Sequence, residues 1–153
     1  MMYLRNYLVF IFLFFNYSFA LSPKNIIIMI GDGMGPEQVK AAGMYSTGAP
    51  GTLNFDWLPY KAEWTTFSAD DSVTDSAAAG TAIATGHKVN NDVVSIAQPG
   101  DERELQSLLE YFKDRGKSIG LVTTAYIASG TPAAFGAHKF DRGYYTNIIN
   151  DYG

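Results

Sequence analysis

The chain has 153 residues, 47% hydrophobic and 17% charged, a balance that excludes a disordered chain and suits one domain or part of one. Its net charge of −4, with no cluster of Lys and Arg, excludes a nucleic-acid partner held by phosphate-backbone contacts. The absence of cysteine excludes disulfides, thiolate metal sites and a lipidated N-terminal cysteine.

The first twenty residues read as a signal peptide. Arg5 supplies a short positive region, Tyr7 to Phe15 an apolar one, and Ser18-Phe19-Ala20 the small residues of a cleavage site. The apolar run is shorter than the ~20 residues that span a bilayer, so no stable membrane span is expected once it is cleaved. An uncleaved N-terminal anchor is the alternative. The mature chain, residues 21–153, is expected to be exported to the periplasm or the extracellular space.

Residues Lys24 to Ile30 form a continuous apolar, β-branched run, the pattern of a strand buried on both faces. It ends in Gly31-Asp32-Gly33-Met34-Gly35, and Pro36 suits the first turn of a helix over 36–46 that Gly48 stops. Residues 62–68 read as a second, partly polar strand. A small-residue helix follows from Ser76 to Thr85, ended by Gly86. Asp101 is placed to cap the next helix, with Leu105, Leu108, Leu109 and Phe112 at helical spacing and a stop at Gly116. Residues 117–124 read as a third strand, 126–137 as irregular or weakly helical, and 143–152 as the start of another helix. This alternation predicts an α/β fold with a mostly parallel central sheet flanked by helices. Ligands of such sheets sit outside the carboxyl ends of the strands, where Asp32, Ser76 and the Thr-rich loop after the third strand would converge.

Each of these residues has a plain reading beside a chemical one. Asp32, between two glycines at a strand end, is a good ligand for Zn²⁺ or Mg²⁺, or a turn residue capping a helix. The Gly31-x-Gly33-x-Gly35 spacing falls short of a dinucleotide loop, because Pro36 stands where a third glycine is needed. Ser76, at the first turn of an Ala-, Gly- and Thr-rich helix, faces free N–H groups that favour phosphate. With no histidine nearby in sequence, a metal is the natural activator of its hydroxyl. Asp75 and Ser76 also read as an ordinary helix cap, the commoner case. Thr131 before Pro132 is turn chemistry or a minor ligand to a hard cation. Arg142 is a surface arginine or a phosphate clamp. His87 and His138 read as loop or surface histidines without a role.

Taken together, three strings resemble the alkaline phosphatase family. They are Ile27-Ile-Met-Ile-Gly-Asp-Gly-Met-Gly-Pro36, Val73-Thr-Asp-Ser-Ala-Ala-Ala-Gly-Thr-Ala82 with Thr85-Gly86, and Thr131-Pro-Ala-Ala134 with Ala137-His138. The resemblance implies an alkaline phosphatase-like sandwich and a zinc- and magnesium-dependent hydrolysis of small phosphomonoesters through a phosphoserine intermediate. It makes Ser76 the nucleophile and a metal ligand. Asp75 would be a catalytic neighbour that contacts Arg142, and Arg142 the phosphate-binding residue. Asp32 and Thr131 would be metal ligands. It admits a homodimeric full-length protein. Ser129 departs from the Asp or His expected two residues before Thr131, which puts the third metal site in question.

The family's remaining ligands lie beyond Gly153, so the chain is expected to be the N-terminal portion of such an enzyme, its fold incomplete. Alone it is expected to be inactive. A non-catalytic phosphate- or metal-binding remnant of the fold is the alternative. A related phosphodiesterase or sulfatase is a further one, which the Asp75-Ser76-Ala77 setting disfavours.

Overall fold

The computed structural model describes residues 23–153, so the expected signal peptide, 1–20, lies outside the described residues. Contacts divide the chain into two units, Met1–Ile30 and Gly31–Gly153. In the first unit, residues 23–30 carry neither helix nor strand, and Ile27 and Met29 are 86% and 92% exposed.

The second unit holds five α-helices and a 3-10 turn at Asn54–Trp57 that the sequence reading missed. Helix α1 is Pro36–Thr47, with Pro36 in its first turn and Gly48 closing it in the left-handed conformation, φ 82°. Helix α2 is Ser76–Thr85, with the predicted bounds. The Asp75 side chain caps it by accepting from the Ala78 N–H at 2.8 Å, and Gly86 ends it at φ 75°. Helix α4, Gly130–Gly136, lies in the stretch expected to be irregular or weakly helical, and α5, Tyr145–Asp151, in the helix expected to begin over 143–152.

Helix α3, Leu108–Lys113, is shorter than expected and Asp101 does not cap it. A capping box does: Ser107 Oγ accepts from the Glu110 N–H, and Glu110 Oε2 accepts from the Ser107 N–H at 2.7 Å. Asp101 instead pairs with the Arg103 guanidinium at 2.8 Å, in a turn. Leu105 precedes the helix and is buried.

The expected parallel sheet is not seen among the described residues. Segments 24–30, 62–68 and 117–124 carry no ladder, and the β pairings are two isolated antiparallel bridges, Val94 with Lys139 and Ile96 with Glu104. A helix satisfies its backbone within itself, whereas a strand needs a neighbour for every hydrogen bond. No helix among the described residues is long and apolar enough to cross a membrane.

The core of the second unit lies on the two sides of α2. Ala77 packs with Val94, Ala128, Ala133, Ala137 and Ile148, while Ala78 packs with Val89, Val93, Ile96 and Leu105. Helix α4 lies against α2 because side chains at the crossing are small. A Cβ added at Gly80 would meet the Ala134 Cβ at 3.0 Å and the Thr131 Cα at 3.4 Å. This close packing sets the Thr131 backbone against Gly80, in the middle of α2, and Gly130 against the Ala77 N at its start.

Candidate active site

Asp32 sits in the turn after Gly31, where the Met34 N–H bonds the Gly31 carbonyl at 3.1 Å and Gly33 adopts φ 66°. That turn aims the carboxylate at two hydroxyls that lie far away in sequence. Ser76 Oγ donates to Asp32 Oδ1 at 3.0 Å, and Thr131 Oγ1 donates to Asp32 Oδ2 at 2.8 Å. A carboxylate with both oxygens engaged by hydroxyls is an all-oxygen cluster.

The second half of the site is a charge pair at the cap of α2. Asp75 uses Oδ1 for the Ala78 N–H and Oδ2 for Arg142 Nη1, the latter at 2.8 Å. Burial works against the guanidinium charge, but the hydrogen bond to Asp75 and the charges of Asp75 and Asp92 outweigh it, so the Arg142 pKa is raised. Gly130, at the start of α4, leaves room for this arrangement. A Cβ there would stand 3.0 Å from Arg142 Cζ and 3.1 Å from the Ala77 N. The guanidinium and the first N–H groups of α2 therefore flank one glycine, next to Ser76. Positive guanidinium and helix N-terminus together favour a phosphate-sized anion at that spot.

The structure thus brings Asp32, Ser76 and Thr131 into one cluster, with Asp75 and Arg142 joined to it through the start of α2. Among the described residues no group of three or more His, Cys, Asp or Glu is placed to hold a metal ion. The oxygen donors at Asp32 suit a hard cation such as Mg²⁺. Asp32 alone among them is of the His, Cys, Asp or Glu kind, of which a catalytic zinc site takes ~3. Ser129 is the residue before α4 and makes no side-chain cap to that helix.

The alkaline phosphatase family profile matches residues 23–152. The chain belongs to the alkaline phosphatase family. It is 45% identical over 124 residues to streptomycin-6-phosphate phosphatase of Streptomyces griseus, covering 78% of this chain and 27% of that protein. It is 38% identical over 135 residues to alkaline phosphatase 4 of Bacillus subtilis, covering 84% of this chain and 29% of that one. Among solved structures it superimposes on the alkaline phosphatase of the Antarctic bacterium TAB5. That match has a TM-score of 0.71, 29% identity, and coverage of 79% of this chain and 34% of that one. The cold-active alkaline phosphatase of Shewanella sp. gives a TM-score of 0.71, 35% identity, and coverage of 80% and 32%. A mutant of the Antarctic enzyme is described with Mg bound. The chain therefore has the alkaline phosphatase-like fold and spans roughly 27% to 34% of the length of these relatives.

Two features of this alkaline phosphatase family chain escaped the sequence reading. His138 is no surface residue. Its side chain is 11% exposed, with Nε2 2.8 Å from Glu110 Oε1 and Nδ1 2.9 Å from the Ser95 carbonyl. The Ser107-x-x-Glu110 pattern was the available signal, since it places Glu110 at a helix start. Asn91, whose side chain binds the backbone ahead of Ser76, carried no local signal beyond the turn-like Asn90-Asn91-Asp92 run. His87, by contrast, is exposed and bonds only near its own turn, Nδ1 to the Thr85 carbonyl at 3.0 Å.

Proposed function

We propose that the chain is the N-terminal portion, 21–153, of an exported, metal-dependent phosphomonoesterase that acts through a phosphoserine at Ser76. The observation that carries this reading is the Ser76 hydroxyl on Asp32 at the start of α2, one residue from an Asp75 that holds Arg142. Ser76 Oγ attacks phosphorus and the ester oxygen leaves as an alcohol with a proton. Water then cleaves the phosphoserine, restoring the hydroxyl and releasing inorganic phosphate. Arg142 and the first N–H groups of α2 hold the non-bridging oxygens, whose charge must be balanced as the bond changes. Asp75 fixes the guanidinium, and Asp32 orients the Ser76 hydroxyl.

Asp32, Ser76 and Thr131 would supply oxygen ligands to the zinc and magnesium ions that the family implies. Bound metal acidifies a hydroxyl and neutralises phosphoryl charge. Ser129, neutral where an Asp or His is expected, weakens the third site in this reading. The run 24–30 and segments 62–68 and 117–124 are proposed as strands of the mostly parallel sheet, supported by their β-branched and apolar composition. Residues 1–20 are proposed as the export signal. Substrates are small phosphomonoesters, in keeping with the phosphorylated small molecule that names the Streptomyces relative. A homodimer is proposed for the full-length protein on the resemblance alone.

The reading is tested by hydrolysis of a chromogenic phosphomonoester by the complete gene product. Activity abolished by Ser76→Ala is the expected result, and activity retained by that variant overturns it. The alternative is a non-catalytic phosphate- or metal-binding remnant of that fold. That alternative predicts phosphate affinity without turnover.

A further inference from the structure

The segment that delivers Ser76 is tied within itself by local bonds, Asp71 to Ser68 and the Val73 N–H to Asp71 Oδ1 at 2.9 Å, which do not reach the rest of the site. Asp71, Ser72 and Val73 are exposed, with Val73 at 73%, and this stretch precedes a helix whose first residue must be held still for chemistry. The anchor comes from Asn91. Its Oδ1 accepts the Asp75 N–H at 2.8 Å, and its Nδ2 donates to the Val73 carbonyl at 2.9 Å. A carboxamide is the side chain that can accept from one backbone group while donating to another. The backbone of Asn91 adds a third tie, its N–H donating to Asp70 Oδ1 at 2.9 Å, and that carboxylate also accepts from Ser68 Oγ at 2.8 Å.

The next residue connects the same segment to the other half of the site. Asp92 adopts φ 67°, and its carbonyl accepts the Arg142 N–H at 2.8 Å. Two residues on, Val94 and Lys139 exchange both backbone hydrogen bonds, at 2.8 and 2.9 Å. The 91–94 segment therefore ties the loop before Ser76 to the backbone that carries Arg142. We propose that Asn91 is a positioning residue, which holds the Asp75 main chain so that the Ser76 hydroxyl and the Arg142 guanidinium keep one fixed register on the phosphoryl group. This rests on Ser76 being the nucleophile. Asn91 itself touches no reacting atom.

The test uses the complete gene product with p-nitrophenyl phosphate. It follows kcat, KM, the rate of serine phosphorylation after rapid acid quench, and the melting temperature. Asn91→Ala leaves the Asp75 N–H and Val73 carbonyl without partners. A displacement near 1 Å at a reacting group costs up to about 100-fold in rate. The expected result is a kcat/KM about 10- to 100-fold lower, carried by slower phosphorylation of Ser76, in protein that is fully folded at the assay temperature. Asn91→Asp keeps the acceptor for Asp75 but sets an oxygen against the Val73 carbonyl, so its kcat/KM should lie between alanine and wild type.

A kcat/KM for Asn91→Ala within about twofold of wild type overturns the proposal, as does a loss that merely follows the unfolded fraction. Should the alanine variant not fold, a wild-type phosphorylation rate in Asn91→Asp overturns it equally. Wild-type protein that acquires no phosphate on Ser76 removes the underlying reading. Labelling of Ser76 at the wild-type rate in both variants removes only the role of Asn91.

Discussion

His138 should titrate above its ordinary value, and replacing Glu110 by Gln should reverse how stability depends on pH. Both ring nitrogens face acceptors, the Ser95 carbonyl and the Glu110 carboxylate, so only the doubly protonated ring can donate to both. Burial favours the neutral ring. The hydrogen bonds to Glu110 and Ser95 and the charges of Glu110 and Glu104 outweigh it, and the His138 pKa is raised. Burial likewise raises the Glu110 carboxyl, but His138 and the Ser107 N–H outweigh it and the net effect is lowering. The folded state thus binds a proton at His138 that the unfolded state releases near pH ~6.5. Its stabilisation is complete below that value and is lost as pH rises through the folded pKa, at up to about 1.4 kcal/mol per pH unit for one proton. The Glu110 contribution is present above the unfolded carboxyl pKa and is lost as pH falls through the lowered one.

In Glu110→Gln the amide oxygen can keep the Ser107 N–H while the amide nitrogen donates to Nε2, so a neutral His138 is fully bonded. The alkaline-side decline should vanish, and stability should instead fall as pH drops below about 6.5. Glu110→Ala leaves both partners unmatched. The His138 side chain is 11% exposed and that of Glu110 35%, between a surface pair worth ~0–1 kcal/mol and a buried one costing ~3–5 when broken. The expected loss is about 1–3 kcal/mol at neutral pH. Denaturant melts of the complete gene product from pH 5 to 9, with NMR titration of the His138 ring, provide the assay. An unchanged alkaline decline in Glu110→Gln, or a His138 that titrates at or below its ordinary value, refutes the reasoning.

Arg142→Ala removes a charge-assisted partner of phosphate worth about 1.5–3 kcal/mol, so inorganic phosphate should inhibit about 10- to 150-fold more weakly. Competitive inhibition constants check this. Gly80→Val places branched bulk where a bare Cβ already meets Ala134 at 3.0 Å, and should lower unfolding free energy by about 1–3 kcal/mol in denaturant melts. Chelation should abolish phosphomonoester hydrolysis by the complete gene product, and added Zn²⁺ with Mg²⁺ should restore it, as followed by chromogenic assay.

What could be read from the sequence was what is decided locally. Helix α2 was legible from end to end, because Asp75 caps it, Gly86 ends it, and alanines fill the turns between. The pairing of Asp32 with Ser76 and Thr131 spans 44 and 99 residues, and no local rule suggests it. The rule that ligands gather at one rim of an α/β sheet, together with three motifs in order, supplied that grouping. Asp101 reads as a cap because an Asp before an apolar run is a generic signal, while the Ser107–Glu110 box that caps α3 shows only when both partners are weighed together. The strands were read from β-branched runs such as Ile26 to Ile28, but composition shows what a strand can bury and not which neighbour bonds it. Asn91 bonds the backbone of Val73 and Asp75, and His138 bonds the Ser95 carbonyl and the Glu110 carboxylate, all too far away in sequence for local spacing to pair them.

If Ser76 is the nucleophile, it carries the phosphate during turnover. The complete gene product should be incubated with a ³²P-labelled phosphomonoester, quenched in acid, digested, and the labelled peptide sequenced. One acid-stable phosphoserine at position 76, absent from Ser76→Ala, is the expected result. Turnover with label on another residue, or with no covalent label under conditions that trap one, would contradict it.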